Sequence, residues 1–467
     1  MATVDRLQWF GWLLFGYMAL VVCFYTFLFL VSAVQMRRSY RLDSGDLHTM
    51  LEDNTYAKPV SILVPAYNEE KGIYASVRSL LSIRYPHYEV IVINDGSKDH
   101  TLQTLIEKFQ MVPVHKTVRK QLETAPIRAI YRSQIHHHLF AIDKENGGKA
   151  DALNAGINVS RYPYFCSLDG DSLLEREAFL KVMKPILDAD GDVIASGGSV
   201  RIANGCRIEA GEVVSVGLPR QPLVVMQVIE YLRAFLIGRI GLSRHNLLLI
   251  VSGAFGVFSK AWVVEAGGYR KSSVGEDMEL VVRLHRLNKE KKQNKKIVYI
   301  PDPVCWTEAP DSLKYLRRQR NRWHRGLFES LWAHRRLIFN PGYGAIGLIS
   351  MPYFVLIELI APVIELLAYI FFLIDLLAGG IYVKFAALLF LLLLLYGSLF
   401  SMFAVLLEEW SLRKYPKVTD IVKLFLYALG ETLWYRPLTV LWRCEGLLQL
   451  AIGKRGWGEM KRKGVSA

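Results

Sequence analysis

The sequence predicts an α/β domain with a mostly parallel sheet, joined to α-helical membrane segments. Three observations carry that prediction. Between about residues 59 and 310, short β-branched runs alternate with polar, helix-like stretches, the pattern of a parallel α/β sheet. Leu7 to Met36 holds no charged residue, and a second apolar region begins near Ile346; about 20 apolar residues suffice to cross a bilayer core. Hydrophobic residues make up 52% of the 467-residue chain and charged ones 21%. That is too apolar for an ordinary soluble enzyme and too charged for a chain wholly in lipid. The length allows two or three domains. The composition excludes disorder, collagen-like repeats and a small disulfide scaffold. The five cysteines are far apart and form no CxxC pair, which argues against a disulfide framework or zinc knuckle and fits a reducing compartment.

The first apolar run is expected to be a spanning helix over residues 1–36. A signal peptide would begin with a basic region and carry a shorter apolar core, whereas here Arg37, Arg38 and Arg41 follow the run. The positive-inside rule then puts the domain over 37–326 in the cytoplasm and the N-terminus outside. Leu327, Phe328, Leu331, Trp332 and Ile338 set against Arg325, Arg335 and Arg336 predict an interfacial amphipathic helix over 327–345. Residues 346–408 read as two antiparallel spans, with a short turn at Ala378-Gly379-Gly380. The remainder, 409–467, reads as a basic loop, interfacial or re-entrant helices, and a basic cytosolic tail. Val422 to Ile452 is apolar but interrupted by Glu431, Arg436, Pro437, Arg443 and Glu445. Glu358 and Glu365 are seven apart and share a helix face; a polar conduit lining and a pair of buried, partnered acids both fit. Lys289 to Lys296 reads as a solvated loop, with a lipid- or partner-contacting patch as the alternative.

Within the cytosolic part, Val60–Val64, Glu89–Asn94, Tyr164–Leu168 and Ile194–Gly197 predict buried strands. Ile73–Ser82, Lys149–Asn158 and Arg176–Leu187 predict helices. In such sheets ligands bind beyond the carboxyl ends of the strands, where the charged motifs fall. Pro65-Ala66-Tyr67-Asn68-Glu69-Glu70 and Asn94-Asp95-Gly96-Ser97-Lys98-Asp99 each follow a strand. They suit a nucleoside, and equally ordinary strand-to-helix turns. Gly147-Gly148-Lys149 at a helix start can approach an anion closely, though it is not a Walker loop. Asp169-Gly170-Asp171 ends an apolar strand. Two carboxylates across one glycine can hold a hard divalent cation that also binds substrate phosphates, or form a charged turn. Gly275-Glu276-Asp277 precedes a helix, as a cap or as the source of a general base. Arg317 to Arg325 is a basic stretch around Trp323, suited to anionic lipid or to a diphosphate with a stacking platform.

The ordered set PAYNEE, NDGSKD, GGKADALN, DGD, GED and QRNRW resembles the processive family-2 membrane glycosyltransferases, which include cellulose, chitin, hyaluronan and poly-N-acetylglucosamine synthases. Trp306 to Leu313 and the layout of spans strengthen the likeness, which covers about residues 8–408 and is greatest toward the poly-N-acetylglucosamine synthases. It implies a GT-A-like nucleotide-sugar domain. It also implies that Tyr67, Glu69 and Asp95 cradle uridine and that Lys149 and Asp151 line the donor site. Asp169 would face the nucleotide and Asp171 would bind Mg2+ or Mn2+. Asp277, beside Glu276, would be the general base. Gln319 and Arg322 would hold the diphosphate, Trp323 would stack under the acceptor sugar, and Ser252-Gly253 would lie near the acceptor.

The sequence departs from the family pattern twice. The familiar TED triplet is Gly275-Glu276-Asp277, without its Thr. Thr101 to Asp143 is longer than a minimal linker and holds His136-His137-His138, which reads as a surface loop. The implied reaction is an inverting transfer from a UDP-sugar, expected to be UDP-N-acetylglucosamine, to a growing β-linked glycan at the cell membrane. Export and an accessory export subunit are part of that expectation. A weakly acidic sugar hydroxyl needs a base, and a departing nucleoside diphosphate needs cationic help. A one-step transferase with a lipid acceptor and a non-catalytic scaffold are the alternatives; the intact acids Asp169, Asp171 and Asp277 argue against the scaffold. The net charge of +14 clusters beside apolar spans, so a nucleic-acid partner is not expected.

Overall fold

A computed structural model describes residues 2–42, 57–170, 172–189, 191–209, 212–377, 383–412 and 414–453. Asp171, the turn Ala378-Gly379-Gly380, Arg413 and the basic tail 454–467 lie outside the described residues.

The centre of the α/β domain is a sheet built on β-branched runs that are buried on both faces. Its strands are β1 (Val60–Ala66), β2 (Tyr88–Asp95), β3 (Met111–Pro113), β4 (Ile127–Ser133), β5 (Leu139–Lys144), β6 (Tyr164–Leu168), β7 (Leu173–Leu174), β8 (Val193–Ile202), β11 (Phe255–Ser259) and β12 (Lys296–Thr307). The hairpin β9 (Arg207–Glu209) and β10 (Glu212–Ser215) stands apart. Strand order is β3-β4-β5-β2-β1-β6-β11-β8-β12-β7. The run β5-β2-β1-β6 is parallel, as is β8 with β12, while β11 lies antiparallel between β6 and β8. This is the mixed, mostly parallel GT-A-like sheet that the sequence predicts. All four predicted strands form. The predicted helices form as Ile73–Leu81, Lys149–Val159 and Ala178–Asp188. A Cβ on Gly156 would meet Ile93 and Leu63 at 3.1 Å, so that glycine lets its helix sit close on β1 and β2.

Thr101–Asp143 is not a linker. It folds as a helix, Thr101–Lys108, followed by β3, β4 and most of β5, extending the sheet to an antiparallel edge. Ile130, Leu139, Ala141 and Ile142 are buried there. His136-His137-His138 sits in the turn between β4 and β5.

Among the described residues, three helices are long and apolar enough to cross a membrane: Gly11–Arg37, Ile346–Ile374 and Phe390–Ser411. The second widens into π turns at Ile346–Ser350 and Phe354–Leu359 before the helix Ala361–Leu377; Pro352 and Pro362 each lack a helical N–H donor there. Two boundaries drawn from the sequence need correction. The amphipathic segment expected over 327–345 is not a separate helix: a single helix, Leu313–Ala333, runs through position 326 and ends in short 3-10 turns. Its apolar positions are divided, since Leu331 is buried whereas Trp332 is exposed and stacked on Phe328. Val418–Ala451 is one unbroken 34-residue helix, not re-entrant or several interfacial pieces. The charges within it are satisfied by other helices. Arg436 donates to Glu365 at 2.6 and 2.8 Å, and Glu431 accepts from Arg233 at 2.8 Å. This helix packs on Leu313–Ala333, where a Cβ on Gly446 would lie 2.9 Å from the Asn321 carbonyl oxygen.

Candidate active site

The loops after β1 and β2 lock together. The Asn68 amide donates to Ser97 Oγ at 3.0 Å, the Lys98 amide to Asn68 Oδ1 at 2.8 Å, and the Glu70 amide to Asp99 Oδ2 at 3.1 Å. Glu69 is fixed through its amide, which donates to Thr101 Oγ1 at 2.8 Å. Tyr67 stands exposed on this loop. Asp95 is buried, and its carboxylate accepts from the amides of Gly147 and Gly148 at 3.0 and 2.8 Å. Lys144 Nζ, also fully buried, lies 2.5 Å from the same carboxylate. Asp95 therefore shapes the Gly-Gly loop. Lys144 escapes sequence reading because only the β2–β5 register, which pairs Asp95 with Lys144, brings it there.

Asp151 departs from its expected role. Its carboxylate has no exposure, accepts from the Ala125 amide at 2.8 and 2.9 Å, and lies 3.3 Å from Lys271 and 3.8 Å from Lys144. From the first turn of its helix it anchors the 122–125 loop and does not line the cavity beyond β6 and β11.

A cavity of about 660 Å3 opens beyond β6 and β11. Lys149, Asp169, Ser252, Gly253, Glu276, Asp277, Gln319, Arg322 and Trp323 all line it; Tyr67, Glu69 and Asp95 do not. Lys149 Nζ lies 2.6 Å from Asp169 and 3.6 Å from Glu276, and donates to the Gly253 carbonyl at 3.1 Å. Burial alone would push the Lys149 ammonium down, but the Asp169 and Glu276 carboxylates hold it above the ordinary lysine range. Burial pushes the Glu276 carboxyl up against the pull of Lys149, and the Asp277 charge adds to the rise. Asp277 Oδ1 accepts from the Met278 amide at 2.8 Å. A Cβ on Gly253 would come within 2.9 Å of Asp277 Oδ2, so this glycine makes room for the carboxylate. Gln319 is buried with no partner for its Oε1. Trp323 is 44% exposed, enough to present a ring face, with Arg320 4.3 Å from its centroid and Tyr231 at 6.4 Å.

Apart from Glu358, the sequence does not point to the far wall. Tyr231, Phe235 and Arg239 come from Pro222–Leu232 and the π turn that follows it, while Glu358 and Arg443 come from apolar helices. Of the two alternatives left open for Glu358 and Glu365, partnering holds for both. Glu358 accepts from Tyr25 and Tyr353 hydroxyls at 3.0 and 2.8 Å, and Glu365 pairs with Arg436. Glu358 also lines the cavity.

The missing Thr of the GED triplet has a steric cause. A Cβ on Gly275 would meet Gly326 backbone atoms at 2.9 to 3.0 Å, and one on Gly326 would meet Gly275 at the same distances. Backbone against backbone cannot give way, so this contact sets the spacing of the Asp277 and Gln319 helices. Gly275→Thr, which restores the family triplet, is expected to lower activity at least tenfold and to lower the melting temperature in detergent. Equal activity and melting to the parent would show that the helices can separate freely.

The glycosyl transferase family 2 profile matches residues 61–208, and that of glycosyl transferase family group 2 matches 222–407. Among curated proteins, the poly-beta-1,6-N-acetyl-D-glucosamine synthases of Staphylococcus epidermidis and Staphylococcus aureus strain COL are each 29% identical over 275 residues. The match takes in 58% of this chain and 55% of each relative, so the chain spans about half the length of the curated relatives it matches. Among solved structures, the mannosyltransferase PcManGT from Pyrobaculum calidifontis, in complex with GDP-Man and Mn2+, aligns with a TM-score of 0.52 at 18% identity. It covers 90% of this chain and 99% of that one, a likeness of fold. With two consecutive family profiles, the motifs in family order and a GT-A-like sheet that brings most of them to one cavity, the chain belongs to the family-2 glycosyltransferases.

Proposed function

We propose that the protein is an inverting, membrane-embedded polysaccharide synthase that takes N-acetylglucosamine from UDP-N-acetylglucosamine and adds it to a growing β-linked chain. The supporting observation is the one cavity that joins Lys149, Asp169 and Asp277, beyond the end of β6, to Glu358 and Arg443 on the apolar helices. A donor site that opens onto the membrane segments suits a product handed to the bilayer. The names of the curated relatives support the choice of sugar. The catalytic domain is cytoplasmic in this reading, and the product leaves through the membrane, with an accessory export subunit as a further partner.

In this reading the Asp277 carboxylate takes the proton from the acceptor hydroxyl as that oxygen bonds to the anomeric carbon. The anomeric carbon–phosphate oxygen bond breaks, configuration inverts and UDP departs. Gln319 and Arg322 hold the diphosphate, and Trp323 stacks under the acceptor. Lys149, with Asp169 and Glu276 beside it, keeps its charge facing the same group. Asp169 and Asp171 supply hard oxygen donors on either side of Gly170, a position where a Cβ would meet the Pro65 carbonyl at 3.2 Å. The donor set fits Mg2+ or Mn2+, which when bound would neutralise charge on the leaving diphosphate.

The test is UDP release and product size from purified protein in vesicles, with UDP-glucose, UDP-N-acetylglucosamine and UDP-glucuronate in turn and either metal. A long, heterogeneous polymer from UDP-N-acetylglucosamine alone is expected. A single short product would favour transfer to a lipid acceptor, and no turnover with any donor would overturn the synthase reading.

A further inference from the structure

Arg239 stands out among the cations of the cavity. Lys149 faces Asp169, Arg320 faces Glu230 at 2.6 Å and Arg443 faces Glu358 at 3.6 Å. Arg239 has no ion pair among the described residues, and its Nη1 is buried without a hydrogen-bond partner. Its guanidinium lies 4.0 Å from the Phe235 ring centroid and 5.8 Å from that of Tyr299. It sits on a π turn, Arg233–Arg239, a geometry that recurs at functional sites. Burial pushes its pKa down, and Tyr299, Asp277, Tyr231 and Glu358 oppose the shift. Arg239 lines the cavity together with Asp277 and Glu358.

A guanidinium N–H buried without an acceptor, as at Arg239 Nη1, is costly, and arginine can only donate. The group that completes it must bring an oxygen. Resting on the polysaccharide reading above, we propose that Arg239 is an acceptor-binding residue that donates to the acetamido carbonyl of the glycan chain and selects N-acetylated over deacetylated sugar. Two features fit that ligand. The acetamido methyl meets Tyr231 on the cavity wall, while its carbonyl meets the guanidinium. A deacetylated sugar offers an ammonium at the same place, and a like charge beside a buried guanidinium is repelled. The selection thus comes from one attraction and one repulsion at a single side chain.

The test compares β-1,6-linked N-acetylglucosamine oligomers with their deacetylated counterparts. Equilibrium binding to the full-length protein in detergent is measured beside UDP release as donor and acceptor are varied. The parent is expected to prefer the acetylated oligomer. Arg239→Met should shrink that preference by about 10- to 100-fold, the scale of one hydrogen bond to a charged group, and raise the acceptor KM while the KM for UDP-N-acetylglucosamine stays put. An unchanged preference, or a change confined to the donor KM, overturns the proposal. If Arg239→Met does not elute as folded protein, Arg239→Lys takes its place: it keeps the charge, loses the planar fork and should lose part of the preference. The two readings fail separately. A parent that releases no UDP from UDP-N-acetylglucosamine sinks the synthase assignment, whereas a parent that makes polymer beside a variant of unaltered preference sinks only the role of Arg239.

Discussion

Asp277→Asn is expected to lower sugar transfer by about 10²- to 10⁴-fold, the usual contribution of a positioned proton acceptor, while UDP binding persists. Asn has the same shape, so the contact with Gly253 and the bond accepted from the Met278 amide can both survive. What it lacks is a basic oxygen for the acceptor hydroxyl. The neighbouring acids cannot substitute. Glu276 is buried and 3.6 Å from Lys149, and Asp169 is 2.6 Å from the same ammonium, so each already faces a cation. The measurement is steady-state UDP release together with UDP binding by calorimetry. Near-parental turnover with intact binding would move the base elsewhere and with it the whole acceptor geometry. Loss of binding and turnover together would mean that Asp277 shapes the donor pocket instead.

The sheet was legible because its central strands are short β-branched runs between turn residues, and each motif follows such a run. Arrangements that depend on distant pairing were not. Lys144 is an unremarkable residue at a strand end until β2 and β5 align it with Asp95. Asp151 has a motif position, but the direction of its side chain is set by the Ala125 amide across the loop. The last helix looked broken because Arg436 and Glu431 are charges in an apolar run. Their partners Glu365 and Arg233 lie 71 and 198 positions away, beyond any local pattern. The edge strands β3 to β5 escaped notice since their alternation is short and interrupted by prolines. Gly275 reads as a defect in a triplet until Gly326 is seen against it.

Lys144→Met is expected to give the largest loss of stability of any substitution near the donor loops. It leaves the Asp95 carboxylate buried with only the Gly147 and Gly148 amides to solvate it, and takes from Asp151 a cation at 3.8 Å. Removing one partner of a buried ion pair costs about 3–5 kcal/mol because the other charge stays behind. The Gly-Gly loop is tied to that carboxylate, so the KM for the UDP-sugar should rise as well. Pairing the change with Asp95→Asn separates the two effects. The double variant no longer buries a lone charge at position 95 and should recover much of the melting temperature in detergent. It still lacks the charged acceptor for the Gly147 and Gly148 amides, so the raised KM should remain. If the single variant melts with the parent, the pair contributes nothing to the fold. If the double variant regains both stability and donor KM, loop geometry does not depend on the Asp95 charge, and the amides must be held by the backbone alone.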